Sequence, residues 1–294
     1  MPKLVLTPPA LRVYKFYGLD FDWQEGQVQA YADCPFCDKS KERRKFSVNV
    51  HTSQWQCFSC QSGKIKEGSV SAGGNDVEFV HLLHKHGLQS DNDWKTLAQD
   101  RKLYKLESLR DWGIVQSIVT GEWLIPGWHA DTRLMTLYRY IRDPTTGRKH
   151  LFPSPFGHHL HGVNLYDPDK ETTILCEGTW DGVALYEALK LADRDEEANV
   201  LATPSATVFS DKWMPLFSDK RVVLMYDSDH PKTHEKTGAE VGLAGYRGMQ
   251  RVTKLLQAAE KPPKEILYLH WGKGGYDANL PSGYDVRDWL AGAI

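Results

Sequence analysis

The chain has 294 residues, a formal net charge of −2, and 41% hydrophobic and 25% charged residues. The length predicts two or three domains, and the composition is that of an ordinary soluble protein. The charge excludes a uniformly basic nucleic-acid binder, so any such surface has to be local, and without a run of 18 apolar residues no transmembrane helix is expected. The opening MPKLVLTPPA has one lysine and too short an apolar stretch for a signal peptide, which makes a cytoplasmic chain the expectation.

Residues 1–33 carry Tyr14, Phe16, Tyr17, Phe21 and Trp23, aromatics expected to pack on the module that follows. That module is Cys34-Pro-Phe-Cys37 and Cys57-Phe-Ser-Cys60, two CxxC pairs with 19 residues between them. Each pair aims two thiolates at one ion, and four sulfurs close a tetrahedral structural site. Cys34, Cys37, Cys57 and Cys60 are therefore the expected Zn²⁺ ligands. His51 finds no vacancy there and is expected at the surface. Cys176 stands in a later apolar run and reads as a small buried hydrophobe. FSVNVH (46–51) and QWQCF (54–58) are expected to be two strands of a ribbon between the knuckles.

Residues 34–66 hold seven Lys/Arg against two acids, and the balance stays positive after four thiolates bind one Zn²⁺. Arg43, Arg44, Lys45 and Trp55 are candidates to hold phosphates and stack bases of a single strand. The alternative is a solvated basic loop whose aromatics fill a small core. SGKIKEGSVSAGGND (62–76) is rich in Gly and Ser and reads as a linker. Asn75 with Glu78 forms a capping-box pattern for a helix reaching Gly87, and residues 94–119 are expected to be helical again.

From Trp123 the pattern changes. WLIPGW (123–128) and RLMTLYRYI (133–141) read as strands, TGR (146–148) as a turn, and GHHLHG (157–162) as a polar loop. Strands are then expected at 172–177, 199–204, 221–227 and 265–271, alternating with helices at 181–192, 211–217, 239–259 and 285–290. Alternation of this kind predicts a parallel sheet with helices on its faces. The Gly-Lys pairs at 63–64 and 272–273 lack the rest of a P-loop.

Glu177 ends the first of these strands, and Asp227-Ser-Asp229 ends the third. Parallel strands bring their C-terminal ends to one edge, where ligands bind. Carboxylates gathered there repel one another unless a cation joins them. Hard oxygen ligands suit Mg²⁺ or Mn²⁺, which can activate a hydroxyl and stabilise a leaving oxygen. Asp181 starts the following helix, as an N-terminal charge or an outer ligand, and Asp285 and Asp288 start the last one.

EGTWDG and YDSD, separated by strand–helix–strand, resemble the two signature motifs of the TOPRIM domain. CPFC and CFSC upstream, with FSVNV and WQCF between them, resemble the zinc-binding domain of bacterial and phage-type DNA primases. The resemblance spans roughly residues 30–292. Four cysteines look most like the primase half of phage primase–helicases. The implied fold is α/β, with a small β-rich zinc ribbon (1–62) and a flexible linker (63–76). A mixed helical and β basic subdomain (77–170) and a TOPRIM-type parallel-sheet domain (171–294) follow.

The resemblance implies a nucleotidyltransferase of DNA replication that makes short RNA primers. Its substrates would be a single-stranded DNA template and ribonucleoside triphosphates, with structural Zn²⁺ and catalytic Mg²⁺ or Mn²⁺. A separate or fused replicative helicase would be the partner, in the cytoplasm of a bacterium or a phage-infected host. Glu177, Asp227 and Asp229 match the catalytic metal-binding acids, and Asp285 and Asp288 a looser further acidic motif for which Asp277-Ala-Asn279 competes. Arg139, Arg142, Arg148 and Lys149, in RLMTLYRYIRDPTTGRKHLF, match a segment that supplies basic residues to template and nucleotides. Ordinary solvated charges on a hairpin are the alternative for these four. A TOPRIM nuclease and a non-catalytic single-strand-binding adaptor are the alternatives for the whole chain.

Overall fold

The structure is a computed structural model. It describes residues 8, 11, 14–15, 19–34, 44–51, 55–58, 91–103, 105–117, 120–142, 145–146, 149–152, 157–233, 240–272 and 274–293. The chain divides into two compact units. One comprises residues 1–89, 115–124 and 139–150, the other residues 90–114, 125–138 and 151–294.

In the first unit, β1 (Gln29–Ala32), β2 (Phe46–Asn49) and β3 (Trp55–Cys57) form an antiparallel sheet in that order. The sequence pattern announced β2 and β3; β1, four residues of QAYA, it did not. Register sets Ala30 opposite Val48 and Phe46 between Ala32 and Cys57. Side chains alternate across a strand, so these residues share one face, and all five are buried. Phe21 packs on Phe46 at 6.1 Å between ring centroids, Tyr14 packs edge-on against Phe21 at 5.6 Å, and Trp55 covers Phe46 at 5.6 Å. The early aromatics are therefore the lid of this small sheet, as expected for Tyr14 and Phe21; Phe16 and Tyr17 lie outside the described residues. His51 is exposed.

The second unit opens with α1 (Asp91–Asp100) and α2 (Leu106–Asp111). The single helix expected over 94–119 is corrected here. Lys102 takes φ +57° and Leu103 N donates back to Ala98 O at 2.9 Å, then Gly113 takes φ +72° and Ile114 N donates to Leu109 O at 3.1 Å. Each is a left-handed C-terminal stop that turns the chain out of the helix. A four-stranded sheet whose residues are divided between the two units is formed by β4 (Val115–Gln116), β5 (Trp123–Trp128), β6 (Leu134–Arg142) and β7 (Lys149–Phe152), in that order.

GHHLHG is not the polar loop expected. Leu160 bridges to Trp128 and His161 to Ala202, and both are fully buried. His161 Nδ1 lies 2.8 Å from Pro126 O, and burial pushes the ring down to about 4, so it stays neutral.

The main sheet is parallel, with β8 (Thr172–Cys176), β9 (Ala198–Ala202), β10 (Arg221–Met225) and β13 (Glu265–Tyr268) in the order β13-β10-β8-β9. The chain goes from β8 to β9 on one side and returns to β10 on the other. The order reverses between β8 and β10, the crevice where open α/β sheets bind ligands. α3 (Thr179–Leu191), α4 (Ala244–Gln257) and α5 (Val286–Ala293) complete the unit. The helix expected from 239 begins only at Ala244, because a hairpin of β11 (Pro231–Thr233) and β12 (Glu240–Gly242) precedes it. Val222 and Leu224 of β10, Leu175 of β8 and Leu201 of β9 meet Val252 and Leu256 of α4, together with Trp213 and Phe217, in one buried core. Cys176 is buried as expected, and burial drives its thiol well above the usual range.

Candidate metal centre and nucleic-acid interface

β8 and β10 are neighbours in register, with Cys176 opposite Met225. The residues that follow them therefore emerge side by side. Glu177 N donates to Met225 O at 3.0 Å, and Glu177 Oε2 accepts from Asp227 N at 3.1 Å. Asp229 Oδ2 accepts from Gly245 N, at the start of α4, at 3.0 Å. Ser228 between the two aspartates is fully buried. Its N–H donates to Tyr284 O at 2.9 Å, its carbonyl accepts from Gly283 N at 2.8 Å, and its Oγ accepts from Asp277 N at 3.2 Å. The segment from Asp277 to Tyr284 thus pins the aspartate pair from behind. This fixes the backbone of Asp277, the competing match, on the strand end rather than placing its carboxylate in the cluster; its Oδ1 caps Asn279 N at 2.9 Å.

Gly245 is required for this approach. A Cβ there would stand 2.6 Å from Asp227 O and 2.7 Å from Glu177 Oε2, inside any real contact distance. No local pattern around Gly245 signals this role.

The electrostatics follow from burial. Asp227 Oδ1 is buried and has no hydrogen-bond partner among the described residues. Burial first, then the charges of Glu177, Asp181, Asp285 and Asp229, push the Asp227 carboxyl up to about 10. Burial raises Glu177 to about 7, opposed by the hydrogen bond from Asp227 N and reinforced by Asp229, Asp181 and Asp285. Among the described residues no ion pair reaches Glu177, Asp227 or Asp229.

Carboxylate oxygens are the hard donors that Mg²⁺ or Mn²⁺ would use. Glu177 and Asp229 each spend one oxygen on a backbone N–H, and Asp227 Oδ1 is spent on nothing. Among the described residues no group of three or more His, Cys, Asp or Glu is already disposed to hold a metal ion. An ion here would draw on these few carboxylate oxygens and complete its shell with water, the habit of Mg²⁺.

The second acidic set differs. Asp181, in the first turn of α3, is buried, and its Oδ1 accepts from Arg287 Nε at 3.0 Å. Arg287 Nη2 also pairs with Asp285. Asp285 and Asp288 cap α5 reciprocally: Asp288 N donates to Asp285 Oδ1 at 3.0 Å and Asp285 N to Asp288 Oδ2 at 3.4 Å. Lys102 pairs with Asp288. Arg287 and Lys102 were not singled out from the sequence, although Arg287 stands between the two aspartates of that motif.

Of the expected zinc ligands, Cys34 and Cys57 are described, and both are buried in the first unit. Cys34 follows β1 by two residues and Cys57 ends β3, on either side of β2. Cys37 and Cys60 lie outside the described residues. Two buried cysteines beside a sheet this small are the residue type a structural zinc would use.

The basic candidates separate. Arg43 and Arg148 lie outside the described residues, and of Lys149 only the backbone in β7 is described. Arg44 is used by the fold: its side chain pairs with Asp22 at 3.2 Å and donates to Asp20 O and Tyr31 O at 3.4 Å. Lys45 is exposed. Trp55 is half-buried on Phe46, while Phe58, interleaved with the same basic charge in the sequence, is 57% exposed. Arg139 grips Glu122 with two hydrogen bonds of 2.6 Å. Arg142 is exposed.

Fold and site together define a class: a parallel α/β sheet with a cluster of acids in its switch-point crevice. The fold has likenesses among solved primase structures. The chain is similar to the zinc-binding and RNA polymerase domains of the Aquifex aeolicus primase, with a TM-score of 0.50 and 16% identity over 96% of this chain and 79% of that one. Weaker likenesses are to a DnaG catalytic core (TM-score 0.49, 15% identity, 74% of each chain). The primase fragment of the bacteriophage T7 primase-helicase gives 0.43 and 12% identity, over 90% of this chain and 96% of that one. No family model and no curated protein matches the chain in sequence. Among the described residues no helix is long and apolar enough to cross a membrane.

Proposed function

We propose that this chain is a DNA primase that joins ribonucleoside triphosphates on a single-stranded DNA template. The observation that carries the reading is the orphaned, buried Asp227 Oδ1, set beside Glu177 and Asp229 in the switch-point crevice of a primase-like fold. Glu177, Asp227 and Asp229 hold Mg²⁺ or Mn²⁺. When bound, the ion supplies charge stabilisation to the α-phosphate under attack and to the departing pyrophosphate. Without metal, burial holds the Glu177 carboxyl up to about 7, and a bound cation would favour its charged form. Gly245 keeps the crevice open to the phosphates, because any side chain there would fill it.

The remaining roles follow the same reading. Cys34, Cys37, Cys57 and Cys60 hold a structural Zn²⁺ in a template-reading ribbon (1–62), joined by the linker 63–76 to a basic subdomain (77–170). The TOPRIM-type catalytic domain (171–294) completes the chain. Lys45, Arg43, Arg142, Arg148 and Lys149 contact phosphates, and Phe58 offers an exposed ring for stacking. Arg44 and Arg139 act by holding Asp22 and Glu122. A replicative helicase delivers the template.

The test supplies the purified chain with a single-stranded template, the four ribonucleoside triphosphates and Mg²⁺. Short RNA in the chain but not in Asp227→Asn is expected. Cleaved template without new RNA would instead make the chain a nuclease, and binding without either product an adaptor.

A further inference from the structure

The two acidic sets sit on one sheet edge yet are neutralised differently. Asp181 and Asp285 share a single guanidinium, since Arg287 donates through Nε to Asp181 Oδ1 at 3.0 Å and through Nη2 to Asp285. All three side chains are largely removed from water, at 7%, 11% and 19% exposure. Arg287 is fixed by the helix that carries it, and that helix is itself capped by Asp285 and Asp288. Asp181 Oδ2 lies 3.0 Å from where a Cβ of Gly178 would be, so this acid borders the residue next to Glu177. Asp181 and Asp285 also contribute to the field felt at Glu177 and Asp227.

A guanidinium presents a rigid fork of donors and stays charged at every working pH. Placed between two carboxylates it does the electrostatic work of a bound cation, without exchange. We propose that Arg287 is a built-in cation occupying the Asp181–Asp285 half of the edge, so that the crevice accepts a single divalent ion, at Glu177, Asp227 and Asp229. Arg287 is then a positioning residue. It holds α3 against α5 and reserves Asp181 and Asp285 from metal. This rests on the proposed metal site, and it adds the number of ions and what limits it.

The test counts ions. The full, zinc-loaded chain is titrated with Mn²⁺, and free Mn²⁺ is read by its electron paramagnetic resonance signal. Wild type is expected to bind one Mn²⁺. Arg287→Gln frees two carboxylates and is expected to bind a second, doubling the stoichiometry. Arg287→Lys keeps a cation in place and is expected to stay at one. Near-uv circular dichroism recorded in Mn²⁺ reports whether each variant is folded. Should Arg287→Gln fail to fold, Asp181→Asn decides: it is expected to bind one Mn²⁺ at close to the wild-type affinity. A tenfold or greater loss there would make Asp181 a ligand and overturn the proposal. Two ions in wild type, or one in a folded Arg287→Gln, would overturn it as well. No Mn²⁺ in wild type would instead remove the metal site beneath it.

Discussion

Asp227 Oδ1 lies out of reach of water and of every donor in the described protein, an arrangement that an ordinary surface acid never meets. Without metal the group is driven toward its neutral form, with the carboxyl raised to about 10. Asp227→Asn is nearly the same shape and removes the charge. The variant is expected to melt at the same or a higher temperature than wild type without metal, and to lose the stabilisation that Mg²⁺ gives wild type. Primer synthesis per folded molecule is expected to fall by about a hundredfold or more, equivalent to about 2.7 kcal/mol. A variant that melted early yet kept its turnover would identify Asp227 as a structural acid. Gly245→Ala is expected to fail by geometry instead, since its methyl group must displace Asp227 O or Glu177 Oε2. Loss of both Mn²⁺ affinity and thermal stability is the expected reading, from a change that leaves every carboxylate in place.

The strand ends β8 and β10 carry the pH dependence. Glu177 and Asp227 are both raised in the folded chain, to about 7 and about 10, so the folded state binds more protons than the unfolded one between about pH 4 and those values. Their contribution to stability is present below the unfolded values and is lost as pH rises through the folded ones. Metal-free protein is therefore expected to melt at progressively lower temperature from pH 5 to pH 9, and saturating Mg²⁺ to flatten that slope. A melting temperature independent of pH in chelator would show that the two acids are not desolvated together.

These strand ends were legible in the sequence because a buried run that stops on a carboxylate is rare. TTILCE and RVVLMYD each announce a strand and its acid at once. Arg287 was hidden by its neighbours, since Asp-Val-Arg-Asp reads as an acidic motif until the partner on α3 is known. The stops at Lys102 and Gly113 were hidden because one of them uses a lysine in the left-handed region, a conformation no local pattern reveals. His161 looked solvated in a run of histidines, and only its pairing with Ala202 of β9 explains why it is buried.

The candidate zinc cysteines fall in one compact unit and the candidate metal-binding carboxylates in the other. Cys57→Ser is expected to lower zinc content and melt the small sheet early, while the parallel-sheet unit keeps its own transition. Two calorimetric peaks, of which only one moves, would be the signature; collapse of both would tie zinc to the whole chain. Template binding separates Arg44 from Lys45. Arg44→Ala is expected to destabilise the first unit, because it loses Asp22 and two carbonyls. Lys45→Ala is expected to leave stability alone and to lower the slope of log K against log salt by about 0.7. An unchanged slope for Lys45→Ala would return it to an ordinary solvated charge.

The chain leaves the crevice at Asp229 and comes back at Gly245, and one hydrogen bond of 3.0 Å ties the two ends together. In between, β11 and β12 pair with each other and with no other strand among the described residues. The excursion is therefore a hairpin outside the parallel sheet, anchored at its base where His230 bonds to Ser282 and Asp277, and its length costs only about 0.6 kcal/mol for each doubling. For the experimenter it is an insertion point: a short peptide tag spliced between Thr233 and Glu240 is expected to leave the hydrogen bond between Asp229 and Gly245, and the melting temperature of this unit, unchanged.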